Sequence, residues 1–150
     1  MIPTHVRQLL EREGLDVLEF EPGSTPTAEA AAARIGVAVD QIAKSLLFRT
    51  KAGEYVLVVC RGAQRVSSTK LKGLVGSKCS MTSAEETERV TGFRPGGVCP
   101  FGVTGVPMYI DEGLAQFELV YPAAGTDATG VPMTFEHLVA VSEGTTAEVV

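Results

Sequence analysis

Two apolar runs separated by three residues constrain this chain more than any other feature. "IAKSLLFRT" (residues 42 to 50) and "EYVLVVC" (54 to 60) are dominated by β-branched, aromatic and aliphatic side chains, and "KAG" between them has the length and composition of a hairpin turn. The spacing predicts an antiparallel pair of central strands. Everything else in the chain has to cover that pair.

The covering elements are legible from periodicity and caps. A helix is expected over Thr4 to Glu13, where Val6, Leu9 and Leu10 share a face and Gly14 stops the run. "DVLEF" reads as a short strand. "STPTAEAAAARIG" predicts a second helix, capped by Ser24 or Thr25 with Pro26 in its first turn, carried on alanines and closed by Gly36. "SSTKLKGLVG" and "SAEETERVTG" each begin with serine and end at glycine, which predicts two short helices joined through "SKCSM". "VPMYID" and "QFELVYPA" are further strand candidates, "GTDATG" is a turn, and "FEHLVAVSEG" is a closing helix. With no internal repeat and no linker, residues 1–150 are expected to form a single α+β domain around a mixed sheet.

Between the last two helical patterns and "VPMYID" lies "GFRPGGVCPFGVTG", residues 92 to 105, which fits neither a helix nor a strand. Five glycines remove Cβ sterics and two prolines fix φ, so the segment is permissive at some positions and stiff at others. Phe93, Val98, Cys99, Phe101 and Val103 are placed to tack it to a core, leaving backbone N–H groups for a cavity or ligand. The plainer alternative is a long buried connection.

Composition narrows the functional classes. At 45% hydrophobic and 21% charged residues the chain reads as globular, and it carries no long apolar segment, so a cytoplasmic protein without membrane contact is expected. Cys60, Cys79 and Cys99 form no CxxC pair and no zinc spacing with His5 or His137, so no metal or other cofactor is expected. Cys60 reads as a small core residue. Cys99, between glycines and a proline, leaves a thiol nucleophile conceivable.

The net charge of −5 hides a strong asymmetry. From Lys44 to Lys78 eight basic residues face the single acid Glu54, a local balance of +7, whereas the rest of the chain sums to −12. A basic face on an acidic body attracts a polyanion through its phosphates. Arg65, Lys70, Lys72 and Lys78 are the candidate phosphate-binding residues on that face; the alternative is a set of solvated surface cations. Lys44 is different again, because "QIAKSLLF" puts a cation at the start of an apolar strand. Alternation puts Lys44, Leu46 and Phe48 on one side and Ser45, Leu47 and Arg49 on the other. Either the ammonium snorkels at a strand end or it is held beside a pocket, able to polarise a carbonyl or bind an anion.

"TPTAEAAAARIGV", "QIAKSLLF", "TGFRPGGVCPFG" and "YPAAGT" occur in the order and approximate spacing of the YbaK/ProX aminoacyl-tRNA deacylases, relatives of the editing domain inserted in bacterial prolyl-tRNA synthetases. The resemblance spans nearly the whole chain. It implies a compact α+β fold with a mixed, partly barrel-like sheet surrounded by helices. The implied activity is trans-acting hydrolysis of the ester on a tRNA mischarged with a small amino acid.

The resemblance also implies site residues. Lys44 matches the family lysine, and Gly96, Gly97, Val98, Cys99 and Pro100 match its GxxxP loop, with Lys44 and Gly97 as catalytic candidates. Phe101 and Gly102 complete the motif, and Gly125 and Thr126 fall where the family has another pocket loop. Thr27 sits at the helix start bordering the site. The implied partner is the 3′ acceptor end of an aminoacyl-tRNA, with an aminoacyl-tRNA synthetase as a second candidate partner and a monomer or weak homodimer as the assembly. No Ser-His-Asp or Cys-His set is visible, so a positioned water assisted by a tRNA ribose hydroxyl is the expected nucleophile, and His137 reads as a surface residue. Cys99 stands where the loop frequently has Ser or Thr, and "GVPM" at 130 to 133 lacks the acidic residue of several Cys-tRNA deacylases. Two other readings remain open: a non-catalytic tRNA- or nucleotide-binding regulatory module of the same fold, and a thiol-dependent hydrolase using Cys99.

Overall fold

The two apolar runs pair along their whole length. A computed structural model describes residues 1–150, and in it β2 (Ala43–Thr50) and β3 (Tyr55–Arg61) form an antiparallel ladder from Ala43 opposite Arg61 to Arg49 opposite Tyr55. Ahead of them come α1 (Thr4–Arg12), β1 (Leu18–Glu19) and α2 (Ala28–Ile35). After them come α3 (Ser68–Val75), β4 (Cys79–Met81), α4 (Ala84–Thr91), β5 (Met108–Asp111), β6 (Thr129–Gly130), α5 (Phe135–Ser142) and β7 (Thr145–Ala147). Two 3₁₀ turns, Val39–Gln41 and Glu112–Gln116, lead into β2 and out of β5.

The main sheet has the order β4-β2-β3-β5-β7, with β5 parallel to β3 and β7 parallel to β5. It is mixed, as expected, and it is not closed into a barrel: β4 and β7 are its edges. Enclosure is partial, carried by the small β1–β6 sheet and by isolated bridges from Ile42 to Tyr121 and from Val120 to Met133.

β3 is buried from Val56 to Cys60 because both faces of the sheet are covered. On one face Leu57 and Val59 join Val6 and Leu10 of α1, Leu138 of α5, and Phe93, Cys99 and Phe101 of the Gly/Pro segment. On the other, Val56, Val58 and Cys60 meet Leu71 of α3 and the C-terminal Ala147 and Val149. The larger cluster holds 19 buried residues against 7, so the Gly/Pro segment is a wall of the main core. Burying a side chain the size of Phe93 or Phe101 contributes about 2 kcal/mol, enough to hold an irregular backbone in place.

Caps set the helix ends. Ser67, Ser83 and Thr134 each accept a hydrogen bond from the amide three residues on, and Gly76 and Gly92 close α3 and α4 in the left-handed region. Four expectations are corrected. The cap of α2 is Thr27, which accepts from the Ala30 amide at 3.1 Å, so Ser24 to Pro26 precede the helix. "SKCSM" contains the edge strand β4, whose pairing with Phe48 to Thr50 its short polar sequence does not advertise. "QFELVYPA" forms no ladder, because Pro122 has no N–H to continue the pairing begun at Val120 and Tyr121. The helix α5 does not close the chain; β7 follows it after a turn through Glu143, a non-glycine residue at φ 56°.

One ion pair ties the sheet to its connections. Asp111, 1% exposed on its side chain, accepts from Arg61 Nε at 2.8 Å, from the Arg61 amide at 3.1 Å and from the Gly113 amide at 2.9 Å. Asp111→Ala leaves the guanidinium and two amides without their acceptor. Urea denaturation is expected to show a loss of roughly 2–4 kcal/mol, and parent-like stability would mean that water replaces the carboxylate.

Candidate active site

Strand geometry locates the site. Lys44, Ser45 and Leu46 all line one cavity of about 180 Å³, although consecutive strand residues point to opposite faces. A cavity touching all three lies at the edge of β2 rather than over a face. That edge is open for a definite reason: β4 pairs only with Phe48 to Thr50, and at the other end the Ala43 amide donates to Tyr121 O at 3.2 Å. The outward backbone groups alternate, since the Ala43 amide and the Leu47 carbonyl, which accepts from the Thr82 amide, both face away from β3. The N–H and C=O of Ser45 lie between them on the same side and meet no strand.

Lys44 is half-buried, and its Nζ donates to Gly62 O at 3.0 Å and to Gln64 O at 2.6 Å. Two of the three ammonium protons are therefore committed to a carbonyl cradle, leaving one for a ligand. The cradle is itself held. Asp40 accepts from the Ala63 amide at 2.9 Å and from Gln64 Nε2 at 3.1 Å, and a Cβ on Gly62 would lie 2.2 Å from Val39 O. Only glycine fits there.

The adjacent glycines of the Gly/Pro segment have a similar explanation. Gly96, at φ 92°, passes so close to the segment leading into α2 that a Cβ would sit 3.0 Å from Pro26 O. A Cβ on Gly97 would sit 2.8 Å from the Thr126 amide nitrogen. The backbone is wedged between the approach to α2 and the 125–129 turn, which brings three distant stretches around one cavity. Gly96, Val98 and Thr27 line it with Lys44, and the Gly96 and Val98 amides have no acceptor within the protein. The Gly97 amide donates to Arg94 O at 2.9 Å and is committed to its own turn.

The aminoacyl-tRNA editing domain model matches residues 22–141, from the approach to α2 through most of α5. The chain belongs to that family. It is 39% identical over 138 residues to YwhH of Bacillus subtilis, covering 91% of this chain and 86% of YwhH. It is 35% identical over 107 residues to the proline–tRNA ligase of Halalkalibacterium halodurans, covering 71% of this chain but only 18% of the ligase. Among solved structures, a candidate trans-editing enzyme for prolyl tRNA synthetase superposes with a TM-score of 0.87 at 34% identity, covering 99% of this chain and 98% of that one. The α+β fold expected from the sequence is thus the fold of this editing family.

The remaining sequence-nominated residues fall into three places. Cys99 and Phe101 are fully buried in the main core, with Pro100 buried beside them. Burial pushes the Cys99 thiol up to about 12, and Cys99 does not line the cavity, which together remove the basis for a thiol-dependent hydrolase. Gly102 packs on the His5 ring, where a Cβ would be 2.4 Å from Cδ2. Gly125 and Thr126 lie behind the loop with Gly97, lining a shallow outer groove. On the basic face Arg65, Lys72 and Lys78 are exposed, whereas Lys70 is paired with Glu148 and donates to Val150 O at 2.6 Å. His137 faces Glu13 at 3.0 Å, away from the cavity. No group of three or more His, Cys, Asp or Glu side chains is placed to hold a metal ion, and no helix is long and apolar enough to cross a membrane.

Several cavity residues carried no sequence signal of their own: Thr25, Ser45, Tyr121 and Thr129 on the wall, and Asp40, Gly62 and Gln64 behind Lys44. Gly97→Ala is expected to cost about 1–3 kcal/mol in chemical denaturation, because the three atoms nearest the new methyl are all backbone atoms of Gly125 and Thr126. A variant as stable as the parent would show that the 125–129 turn yields.

Proposed function

We propose that this editing-family domain is a trans-acting aminoacyl-tRNA deacylase that removes a small amino acid from a mischarged tRNA. The observation that carries the proposal is that Lys44, Gly96 and Val98 line one small cavity, the two loop residues with amides that have no acceptor within the protein. At about 180 Å³ it is below the ~300 Å³ at which pockets begin to enclose drug-sized ligands, so it suits an aminoacyl group with the terminal adenosine left outside. The relatedness to proline–tRNA ligases and to a candidate trans-editing enzyme supports the same reading.

The chemistry follows from what lines the wall. Its only titratable side chains are Lys44 and Tyr121, so no carboxylate, imidazole or thiol is at hand as a general base. Water attacks the ester carbonyl carbon, and the developing oxyanion is stabilised by the free Lys44 proton and the loop amides. As the bond to the tRNA 3′ oxygen breaks, that oxygen gains the water's proton through a neighbouring ribose hydroxyl. A free amino acid and an uncharged tRNA leave. A second sieve of this kind is needed because a difference of one methylene discriminates by only about 1–3 kcal/mol.

The same cavity would serve a non-catalytic tRNA-binding module, and turnover separates the two. Lys44→Ala is expected to slow single-turnover hydrolysis of a tRNA ester by about 10²- to 10³-fold while moving the melting midpoint by no more than about 4 °C. Lys44→Arg should not restore the rate, since a planar guanidinium does not fit a cradle of two carbonyls built for an ammonium. Near-normal turnover by a folded Lys44→Ala protein would remove the lysine from the mechanism.

The polyanion face is narrower than the charge count suggests. Of the eight basic residues between 44 and 78, Arg49, Arg61 and Lys70 are in ion pairs and Lys44 faces the cavity. This leaves Lys51, Arg65, Lys72 and Lys78 for phosphates. Arg65 directly follows the cradle residue Gln64. Reversing Arg65 and Lys72 together is expected to weaken tRNA binding and flatten its salt dependence by roughly 0.7 per lost contact on single-stranded regions. An unchanged slope would place the tRNA elsewhere.

A further inference from the structure

Lys44 reaches the cavity from a strand, but the groups that hold its ammonium do not line that cavity. After Arg61 the chain turns back on itself, closed by the Gln64 amide donating to Arg61 O at 3.1 Å, and both Gly62 O and Gln64 O accept from Nζ. Register explains the encounter, because Lys44 stands opposite Cys60, two residues before Gly62. Ala63 and Arg65 are exposed, so the outer side of this turn meets water rather than packing.

Asp40 supplies the constraint that packing does not. Its Oδ1 accepts from the Ala63 amide at 2.9 Å and its Oδ2 from Gln64 Nε2 at 3.1 Å, one oxygen for each residue. The carboxylate stands in the 3₁₀ turn Val39–Gln41, which is itself fixed on both sides. Gln41 Oε1 accepts from the Ala38 amide at 3.0 Å, Gln41 Nε2 donates to Leu119 O at 3.3 Å, and the Tyr121 amide donates to Gln41 O at 2.8 Å. Asp40 therefore links a braced element to the turn that holds the lysine.

An ammonium carries three N–H bonds at fixed angles. With two of them aimed at Gly62 O and Gln64 O, rotation about the Cε–Nζ bond is locked and the direction of the third is set. Without those acceptors the flexible four-carbon stem would spread the charge over many rotamers. We infer that Asp40 is a positioning residue for the reaction: acting through the Gly62–Gln64 turn, it sets the direction of the free Lys44 proton. The inference rests on the deacylase reading for what that proton does and goes beyond it in naming what directs it. Stabilisation of an oxyanion is steeply geometric, since a misplacement of about 1 Å can cost about 10²-fold in rate. Loss of aim therefore falls on the chemical step, whereas a residue that only stiffened the fold would lower stability and leave the rate per folded molecule intact.

The test uses alanyl- and seryl-tRNA in single-turnover hydrolysis by the full chain, followed with whichever ester the parent cleaves faster. Asp40→Ala is expected to lower the rate at saturating enzyme by about ten- to a hundredfold and to move the half-saturating concentration by less than about threefold. Asp40→Asn, which keeps an acceptor for the Ala63 amide, is expected to lie closer to the parent than to Asp40→Ala. In a Lys44→Ala background Asp40→Ala is expected to add less than about threefold, because its effect passes through the lysine. Gln64→Ala keeps the carbonyl that Lys44 uses and removes only the side-chain donor; it is expected to act in the same direction and carries the test if Asp40→Ala does not fold. A parent-like rate in the folded variant, or a loss that multiplies in full with that of Lys44→Ala, would overturn the inference. If the parent cleaves neither ester, the ¹⁵N signal of the Lys44 ammonium, assigned by its loss in Lys44→Ala, decides separately. A slowly exchanging ammonium in the parent that disappears in Asp40→Ala keeps the positioning role while the deacylase reading falls. An ammonium signal that is the same in both proteins, or absent from the parent, overturns the positioning role as well.

Discussion

β2 is paired along its entire length on one edge and only at its two ends on the other, and the site depends on that asymmetry. The β3 ladder fixes the register of Ala43 to Arg49, while the Tyr121 bridge and β4 occupy opposite ends of the outer edge. Between them a backbone N–H and C=O are left facing a cavity, beside a lysine and a serine that alternation sends to opposite faces. An open sheet edge is ordinarily a liability, a template for wrong pairing. Here the approach to α2 and the Gly96–Val98 backbone cover it, leaving only a cavity of about 180 Å³.

The consecutive glycines belong to the same geometry. Gly96 abuts Pro26 and Gly97 abuts Thr126, so the loop spans the gap between two walls by having no side chains at the points of contact. Phe93 and Phe101 anchor its ends in the main core, where their burial offsets the entropy of holding an irregular segment still. The rigid placement of the Gly96 and Val98 amides therefore comes from apolar packing a few residues away. The lysine is held with similar indirectness. Asp40 braces the turn whose carbonyls hold Nζ, so a carboxylate that does not touch the lysine helps orient it.

Much of the fold was legible because its signals are local. The hairpin followed from two apolar runs and a short turn, and three helices ended at glycines that adopt the left-handed conformation, Gly36, Gly76 and Gly92. The elements that escaped, β4, β6 and β7, are two or three residues long and exist only because a neighbouring edge pairs with them. "QFELVYPA" misled in the opposite direction, since its pattern is that of a strand but Pro122, which accepts from the Val131 amide at 2.8 Å, has no N–H to return the bond. In the site, Lys44, Thr27, Gly96 and Val98 could be nominated from the sequence, and they meet at the cavity. Thr25 and Ser45 could not, because a hydroxyl becomes conspicuous only when its surroundings fail to supply a partner.

The sequence by itself determined the family, the central hairpin, the location of the stiff glycine-proline segment and the uneven charge. Each of these is written in residue type, spacing or order. Tertiary structure alone decided which faces of those residues meet: that Cys99 and Phe101 turn into the core while Gly96 and Val98 turn to the cavity, that Lys70 is neutralised by Glu148, and that the Thr25 and Ser45 hydroxyls stand unpaired. Those outcomes depend on contacts between segments far apart in the chain, and a hydrogen-bond partner or its absence has no local signature.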